Sequence, residues 1–339
     1  MSSAGVTRPI RLGARTSPLA RAQVDLISAA LARQGVESTF VGVTTRGDVD
    51  RRHLTEIGGT GVFVTAVRDA LRSGEIDVAV HSLKDLPTAP VDDLEIIAVP
   101  EREDTRDVLV GRRLDELVDG ARIGTGAPRR ELQLLDWASA AGRRLEVVPI
   151  RGNVDTRIEL ARRGEVEAVI LAAAGLRRLG HLAAETAGET DTVVKSLQAE
   201  ILDHQVMLPA PGQGALALEI LFSLSDDLRA PLAALDHAPS RAECLVERGF
   251  LATLEAGCTS PVGTRAHVKS VHGKRLDLTL AAVIGRTLLS NLSEPTKAGP
   301  VLRVDVRGST DDPQHFGAVH AGRVLSELQN HEQQNARSL

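Results

Sequence analysis

Aromatic residues are scarce in this chain. Phe, Trp and Tyr together make up 2% of its 339 residues, and tyrosine is absent. Nucleic-acid-binding sheets of the OB-fold and RNA-recognition type stack bases on aromatic rings, so the scarcity argues against a nucleic-acid partner. The interior must be packed by aliphatic side chains. With 42% apolar residues in a chain of this length, these can build two or three domain cores.

Cysteine and long apolar runs are also lacking. The two cysteines, Cys244 and Cys258, lie fourteen positions apart without CxxC spacing or a nearby histidine pair, so neither a metal site nor a disulfide framework is indicated. This usage fits a reducing compartment. The first twelve residues carry no signal-peptide pattern, and no apolar run approaches the length of a membrane span. We therefore expect a cytoplasmic protein without a membrane partner.

Lysine is rare, whereas arginine accounts for 35 of the 40 basic residues. Arginine binds carboxylates through two parallel hydrogen bonds and stays charged at all relevant pH values. Three glycine-marked turns carry arginines, at residues 124–130, 151–157 and 175–178. Because such turns precede helices, guanidinium groups and free backbone N–H groups converge there. The pattern predicts binding of a ligand with several carboxylates.

Strand and helix patterns alternate through the first two thirds of the chain, which is typical of the α/β class. We predict strands at residues 9–14, 36–44, 76–81, 107–110, 121–124, 145–150, 167–172 and 215–220, and helices at 17–33, 62–72, 127–141, 153–163 and 174–180. The acidic stretch 183–204 is only weakly periodic, and we interpret it as surface helix and loop. The charged turn 101–106 and the Pro/Gly segment 208–214 are predicted crossings between domains.

From about residue 230 the order changes. A helix at 240–255, strands at 262–271, 275–284 and 301–307, and a final helix from about 312 indicate a smaller α+β domain. The sequence therefore predicts three domains. The first comprises residues 1–102 plus 206–226, the second 107–203 and the third 230–339.

Asp85 and Lys84 follow the apolar strand at 76–81, where the ordinary interpretation is a solvated ion pair. If Asp85 instead faces a cleft lined by arginines, its carboxylate stays ionised and can stabilise a developing cation or pass a proton to a leaving amine. His81, on the same strand, is expected to be packed rather than catalytic. Cys258 lies in a turn between Gly257 and Pro261, from which a thiolate could project.

Two further expectations concern local structure. Cys244 lies inside a helical pattern and is expected to be a small buried apolar residue. Ser17 and Asn153 are expected to cap the helices that follow them, although the Ser17 hydroxyl could also serve a ligand beside Arg15.

A series of short motifs, in this order, resembles the porphobilinogen deaminase (hydroxymethylbilane synthase) family. They are RLGARTSPLA at 11–20, TRGD at 45–48, GTGVF at 59–63, HSLKDLP at 81–87, EREDTRD at 101–107, RGNV at 151–154, AGLRRLG at 174–180, GQGA at 212–215 and GC at 257–258. The resemblance implies a first and a second domain like type II periplasmic binding proteins, with mainly parallel or mixed sheets and flanking helices, and a small α+β third domain.

The resemblance also implies an activity. The family condenses four porphobilinogen molecules stepwise, with loss of ammonia, into the linear tetrapyrrole hydroxymethylbilane. It implies a dipyrromethane cofactor on Cys258 through a thioether, Asp85 as the catalytic carboxylate, no metal, and a monomer. The implied cofactor contacts are Ser17, Lys84, Asp85, Arg129, Arg130, Arg151 and Arg157, and the implied substrate contacts are Arg15, Ser17, Phe63, Arg151, Arg157 and Arg178.

Some positions depart from the family pattern. Gly126 and Ala127 stand where two hydroxyl residues are usual, and Ala256 stands where Gly is common.

Parts of the sequence suggest two other functions. A dinucleotide-dependent dehydrogenase is disfavoured because residues 124–126 lack the third glycine and a suitably placed acidic partner. A noncatalytic two-lobed anion-binding module remains the alternative, since arginine-lined turns would serve it equally well.

Overall fold

The computed structural model describes residues 8–44, 61–183, 191–194, 196–257, 260–285 and 301–336. Its strands are β1 Ile10–Arg15, β2 Ser38–Val43, β3 Val78–Ser82, β4 Leu94–Ala98, β5 Asp107–Val110, β6 Arg122–Gly124, β7 Glu146–Val148, β8 Ala168–Ala172, β9 Asp191–Val194, β10 Leu197–Ile201, β11 Leu216–Leu221, β12 Val262–His272, β13 Arg275–Gly285 and β14 Val301–Thr310. Its helices are α1 Pro18–Ala32, α2 Gly61–Arg72, α3 Pro128–Ala140, α4 Val154–Arg162, α5 Ala173–Arg178, α6 Asp226–Ala233, α7 Ala238–Thr253 and α8 Pro313–Ala336.

The described residues group into two compact units. The first draws on Met1–Thr105, Ala174–Ala184 and Gln213–Arg241, and the second on Arg106–Ala173, Glu185–Gly212 and Ala242–Leu339. The α/β class with a smaller α+β part is confirmed. The three sheets use strands from the three ranges that the sequence assigned to domains, and the division into three domains stays a prediction.

The first unit contains a five-stranded sheet in the order β2-β1-β3-β11-β4. Strands β1, β2 and β3 are parallel, whereas β11 runs antiparallel to both β3 and β4. Helix α1 begins where predicted, because the Ser17 side chain accepts a hydrogen bond from the Ala20 amide and Pro18 occupies the first turn. Its apolar face, including Val24 and Leu31, packs on the sheet.

The second unit contains a six-stranded sheet in the order β7-β6-β8-β5-β10-β9. Here β6 is parallel to β7 and β8, and the antiparallel pairs are β5 with β8, β5 with β10, and β9 with β10. The interpretation of residues 183–204 as helix and loop was wrong, because strands β9 and β10 lie there. Ala199 and Ile201 are buried while the residues between and before them are less so, which is the period-two pattern of a strand.

A three-stranded antiparallel sheet, β12-β13-β14, completes the second unit together with α7 and α8. Phe250 of α7 and Phe316 of α8 share one core with Leu280 and Ile284 of β13. The expected pattern of a helix, three strands and a final helix is confirmed. Strand β4 and helix α6 were not predicted from the sequence. Within the described residues, no helix has the length and apolar character needed to cross a membrane.

A buried charge cluster ties β11 to β3 and α2 in the first unit. Glu219, only 3% exposed, lies 2.7 Å from Arg68 Nη2 and 3.2 Å from His81 Nε2. Burial alone would raise the pKa of Glu219, but hydrogen bonds and charge from His81 and Arg68 outweigh it and lower that pKa to about 2. His81 is therefore packed in the interior beside Glu219, as expected from the sequence.

We expect Glu219→Gln to lower the free energy of unfolding at pH 7 by about 3–5 kcal/mol, because it removes one partner from a buried pair. The folded pKa lies below the ordinary value of 4.5, so the pairing stabilises the fold above that pH and is lost as pH falls toward 2. Urea unfolding at pH 7 and near pH 3.5 should therefore show a weaker pH dependence in the variant.

The matched control is Asp25→Asn, which breaks the exposed pair with Arg21 on α1. It should change stability by less than about 1 kcal/mol. Equal losses in the two variants would contradict a special role for the buried cluster.

Candidate active site

The turn that carries Asp85 is fixed by its neighbours. Strand β3 ends at Ser82, and one 3₁₀ turn, Leu83–Asp85, follows. The Leu83 side chain is buried, and the Leu83 amide donates to the Ala215 carbonyl at 3.0 Å. Gln23 of α1 donates to Ser82 Oγ at 2.8 Å. Asp85 itself is exposed. The anchored turn thus presents the Asp85 carboxylate at the surface of the first unit.

Lys84 contacts the motif at residues 212–215. Its Nζ lies 3.4 Å from Gln213 Oε1, and Gln213 Nε2 donates to the Thr105 carbonyl at 2.7 Å. Gln213 is 1% exposed, and both the oxygen and the nitrogen of its side-chain amide are hydrogen-bonded inside the unit. The Lys84 ammonium is consequently held near the predicted crossing at residues 101–106.

Arg178 contacts the next residue of the same motif. Its Nη2 donates to the Gly214 carbonyl at 2.5 Å, while its buried Nε has no hydrogen-bond partner among the described residues. Burial lowers the pKa of Arg178 to about 10, with the Glu103 charge opposing the shift. The group therefore remains a cation at neutral pH. Lys84 and Arg178 thus bind consecutive residues of one segment.

Gly214 is required at this point. Its φ is +87°, and a Cβ would overlap with the Glu103 carbonyl oxygen. The residue also accepts a 3.3 Å hydrogen bond from the Glu103 amide through its own carbonyl. Only glycine combines the left-handed conformation with this close approach of two backbones.

Arg177 differs from its neighbour Arg178 because carboxylates surround it. Its Nη1 lies 2.8 Å from Glu103 Oε1 and its Nη2 lies 3.2 Å from Asp104 Oδ2. Burial would raise the pKa of Glu103, but the Asp104 amide and Arg177 outweigh it and lower that pKa. Glu103 is therefore an ionised partner of Arg177, and Asp104 is a second carboxyl group within ion-pair distance of the same guanidinium.

Three other predicted residues of the first unit are placed as follows. Ser17 serves as the helix cap, with Oγ 3.3 Å from the Ala20 amide, as expected. Arg15 is the last residue of β1 and is half-buried. Phe63 belongs to the first turn of α2, and its side chain lies outside the described residues.

In the second unit, Arg129 and Arg130 converge on Asp107. Arg129 Nη1 lies 2.8 Å from Asp107 Oδ2, and Arg130 Nη2 lies 2.8 Å from Oδ1. Asp107 is fully buried, and the two guanidinium groups nearly so. Burial alone would raise the pKa of Asp107, but the charges and hydrogen bonds of both arginines hold it well below its usual range.

Arg129 and Arg130 also donate hydrogen bonds to backbone carbonyls. Arg129 Nη1 donates to the Leu208 carbonyl at 2.5 Å, and Gln133, one turn along α3, both donates to and accepts from Leu208. Arg130 Nη1 donates to the Ile170 carbonyl at 2.9 Å. Gly126 permits this turn because a Cβ there would lie 2.7 Å from the Ile150 carbonyl oxygen.

Arg157 adds a third guanidinium group close to Arg130. Its Nε donates to the Gly152 carbonyl at 2.9 Å, and burial, together with the Arg130 charge, lowers its pKa. Asn153 caps α4 by accepting from the Thr156 amide at 2.8 Å, as expected. Arg151 is exposed in the loop after β7, which ends at Val148 rather than at residue 150.

Asp107 thus offsets only part of the positive charge of the guanidinium groups around it. One carboxylate faces Arg129 and Arg130, and Arg157 lies within electrostatic reach of Arg130 without a carboxylate hydrogen bond among the described residues. A net positive charge that is partly shielded from water favours an anionic ligand.

Cys258 lies outside the described residues. Cys244 is buried in α7, as expected. Within the described part of the chain, no cluster of His, Cys, Asp or Glu could hold a metal ion.

Two family models match this chain. "Porphobilinogen deaminase, dipyromethane cofactor binding domain" covers residues 10–227, and "Porphobilinogen deaminase, C-terminal domain" covers residues 241–300. The chain belongs to the porphobilinogen deaminase family. It therefore carries the dipyrromethane cofactor binding domain of that family.

Relatives agree with this membership. "Porphobilinogen deaminase 1" of Streptomyces coelicolor is 48% identical over 298 residues, covering 87% of this chain and 89% of the relative. "Porphobilinogen deaminase" of Leifsonia xyli is 50% identical over 267 residues, covering 76% of each chain. Among solved structures, a periplasmic substrate-binding protein of an ABC transporter from Coxiella burnetii is similar with a TM-score of 0.39 and 14% identity, covering 70% of this chain and 96% of that one.

The side chains of this family member fit a cofactor rich in carboxylates. Arg157 and Arg178 are partly buried cations whose hydrogen-bond acceptors among the described residues are backbone carbonyls, so each can add a charge-assisted bond to a carboxylate. In the first unit, Lys84 supplies another cation, bound to Gln213.

Sequence analysis missed the acidic residues that organise these arginines. Asp107, Glu103 and Asp104 lie in the stretch at 101–107, whose charge suggested only a crossing. The available signal was Asp107 itself, an ionisable residue that opens a wholly apolar strand. A buried carboxylate in such a position needs a cationic partner.

We expect Asp107→Asn to destabilise the fold by about 3–5 kcal/mol, because two buried guanidinium groups lose their counter-charge. Urea unfolding measures the loss. Asp136→Asn is the control in the same unit, since Asp136 pairs with Arg303 at a half-exposed site and should contribute less than about 1 kcal/mol. A wild-type midpoint for Asp107→Asn would refute the counter-charge role.

Proposed function

We propose that this chain is a hydroxymethylbilane synthase, which joins four porphobilinogen molecules head to tail and releases one ammonia at each condensation. Family membership supports the reaction. The observation that supports the substrate class most directly is that the partly buried guanidinium groups of Arg157 and Arg178 donate to backbone carbonyls and to no carboxylate among the described residues. Each porphobilinogen brings two carboxylates, which these cations can bind.

Asp85 is proposed as the catalytic carboxylate. Loss of ammonia from porphobilinogen leaves an electron-poor azafulvene, and attack on it by the free α-carbon of the preceding pyrrole places positive charge on pyrrole nitrogens. A carboxylate held in fixed geometry stabilises that charge without reorganisation. The exposed Asp85 on its anchored 3₁₀ turn is suited to this task. Lys84, adjacent to it, is proposed to bind a carboxylate of the cofactor.

The remaining proposed contacts follow the geometry of each unit. Arg15, Ser17, Phe63 and Arg178 would bind substrate from the first unit, where Ser17 must share its oxygen with the helix cap. Arg151 and Arg157 would bind both cofactor and substrate. Arg129 and Arg130 would bind the cofactor through the guanidinium N–H groups that do not contact Asp107.

The proposed attachment point of dipyrromethane is Cys258, through a thioether. When bound, the cofactor supplies the free pyrrole α-carbon on which the chain grows. The protein's part is to hold its carboxylates: Lys84 in the first unit and Arg157 in the second are each proposed to bind a carboxylate and offset its charge. Because Arg is charged throughout, this compensation persists as successive carboxylates accumulate.

We also propose that the protein acts as a cytoplasmic monomer with porphobilinogen as its small-molecule partner. The sparse cysteine usage supports a reducing compartment. The alternative, a noncatalytic anion-binding module, uses the same arginines but needs neither Asp85 nor Cys258. The two functions therefore differ in two measurable properties.

The first property is covalent modification. The intact mass of the purified protein should exceed that of the polypeptide by two linked pyrrole units, and Cys258→Ala should lack the excess. Cys244→Ala is the matched control and should keep it, because Cys244 is buried in α7. An unmodified wild-type mass that persists after incubation with porphobilinogen would rule out the covalent cofactor and favour the binding module.

The second property is turnover. Asp85→Asn should keep the fold and the added mass but lower kcat by at least about 100-fold, because charge stabilisation and proton transfer at Asp85 are removed. Ammonia release from porphobilinogen reports kcat. Asp92→Asn, at another exposed carboxylate in the same unit, should retain wild-type activity. Near-wild-type turnover in Asp85→Asn would exclude the assigned role.

A further inference from the structure

The adjacent arginines of α5 have unequal surroundings. Arg177 contacts two carboxylates, those of Glu103 and Asp104. Arg178 donates to the Gly214 carbonyl, and its Nε has no hydrogen-bond partner among the described residues. Arg177 thus contacts both neighbouring carboxylates, whereas Arg178 contacts a backbone carbonyl.

Glu103 lies within reach of either arginine. Its backbone amide and the Arg178 guanidinium both donate to the same oxygen, that of Gly214. The Glu103 charge raises the pKa of Arg178, and the Arg178 charge lowers that of Glu103. The Glu103 carboxylate is oriented toward Arg177, with Oε1 2.8 Å from Arg177 Nη1.

The Arg177 pair is held by more than one contact. Glu103 Oε1 also accepts the Asp104 amide at 2.8 Å, and Asp104, 9% exposed at its side chain, closes the cluster from the other side of the guanidinium. The Arg177 side chain is 16% exposed, so its charge is poorly screened by water. The cluster therefore competes effectively with Arg178 for the Glu103 carboxylate.

We propose that Arg177 is a positioning residue that captures Glu103 and so keeps Arg178 available for a substrate carboxylate. This inference rests on the proposed function, in which Arg178 binds substrate. Without Arg177, Glu103 turns to Arg178 and occupies the donors that a substrate carboxylate needs. Glu103 then acts as an internal competitor of the same chemical class as the ligand.

The test is a double-mutant cycle on the cofactor-loaded enzyme. Arg177→Gln should raise KM for porphobilinogen about five- to tenfold while kcat changes less than about twofold, since a competing ion pair must be displaced before binding. Arg177→Gln combined with Glu103→Gln should bring KM back to within about twofold of wild type, because the competitor is gone. Arg177→Lys should stay near wild type, since the cation is kept.

A second readout separates binding from turnover. In an Asp85→Asn background, calorimetry with porphobilinogen should give the same pattern in Kd, weaker in Arg177→Gln and restored in the double variant. Arg162→Gln, which breaks the exposed pair with Glu159 on α4, is the control and should change neither constant.

The outcomes distinguish this inference from the proposed function. If Arg177→Gln raises KM and Glu103→Gln does not restore it, Arg177 has only a structural role and the inference fails. If Arg178→Gln raises KM while Arg177→Gln leaves it unchanged, the inference fails and the role of Arg178 stands. Wild-type KM and Kd in Arg178→Gln would overturn the role of Arg178, and the inference with it.

Discussion

The compensation of buried guanidinium charge is the constraint on which both units depend. A desolvated arginine is costly unless it meets an anion or accepting carbonyls. Asp107 meets two arginines in the second unit, while Glu103 and Asp104 meet one in the first. These carboxylates leave the positive charges of Arg157, in the second unit, and Arg178, in the first, without a paired carboxylate in the described part of the chain. A ligand with several carboxylates can supply the missing negative charge. Stability and binding are therefore set by the same pairs.

The segment at residues 212–215 shows how backbone geometry serves this balance. Gln213 receives Lys84, and Gly214 receives both Arg178 and the Glu103 amide through one carbonyl. Since Gly214 adopts a positive φ against the Glu103 carbonyl, side chains larger than hydrogen are excluded there. A four-residue stretch consequently binds two cations and the backbone amide of Glu103 in the first unit.

The sequence predicted most strands and helices because their signals are local. Ser17 before Pro18, and Asn153 before α4, mark helix starts through capping bonds that involve only near neighbours. The prediction for 183–204 failed because β9 and β10 are only four and five residues long, and only β10 alternates apolar and polar residues, which is too short a pattern to distinguish from a surface helix. Asp107 was missed because its partners are 22 and 23 residues away in sequence.

The two Arg-Arg pairs at 129–130 and 177–178 illustrate what local patterns leave open. Both follow glycine-containing stretches, and sequence alone gives them equal standing, although Arg129 and Arg130 begin α3 whereas Arg177 and Arg178 end α5. In the structure the first pair shares one carboxylate, whereas the second is divided into a compensated and an uncompensated cation. The difference arises from where distant backbone brings Asp107 and Glu103. Whether an arginine serves the fold or a ligand is thus decided by the nearest carboxylate in space, which no spacing rule along the chain specifies.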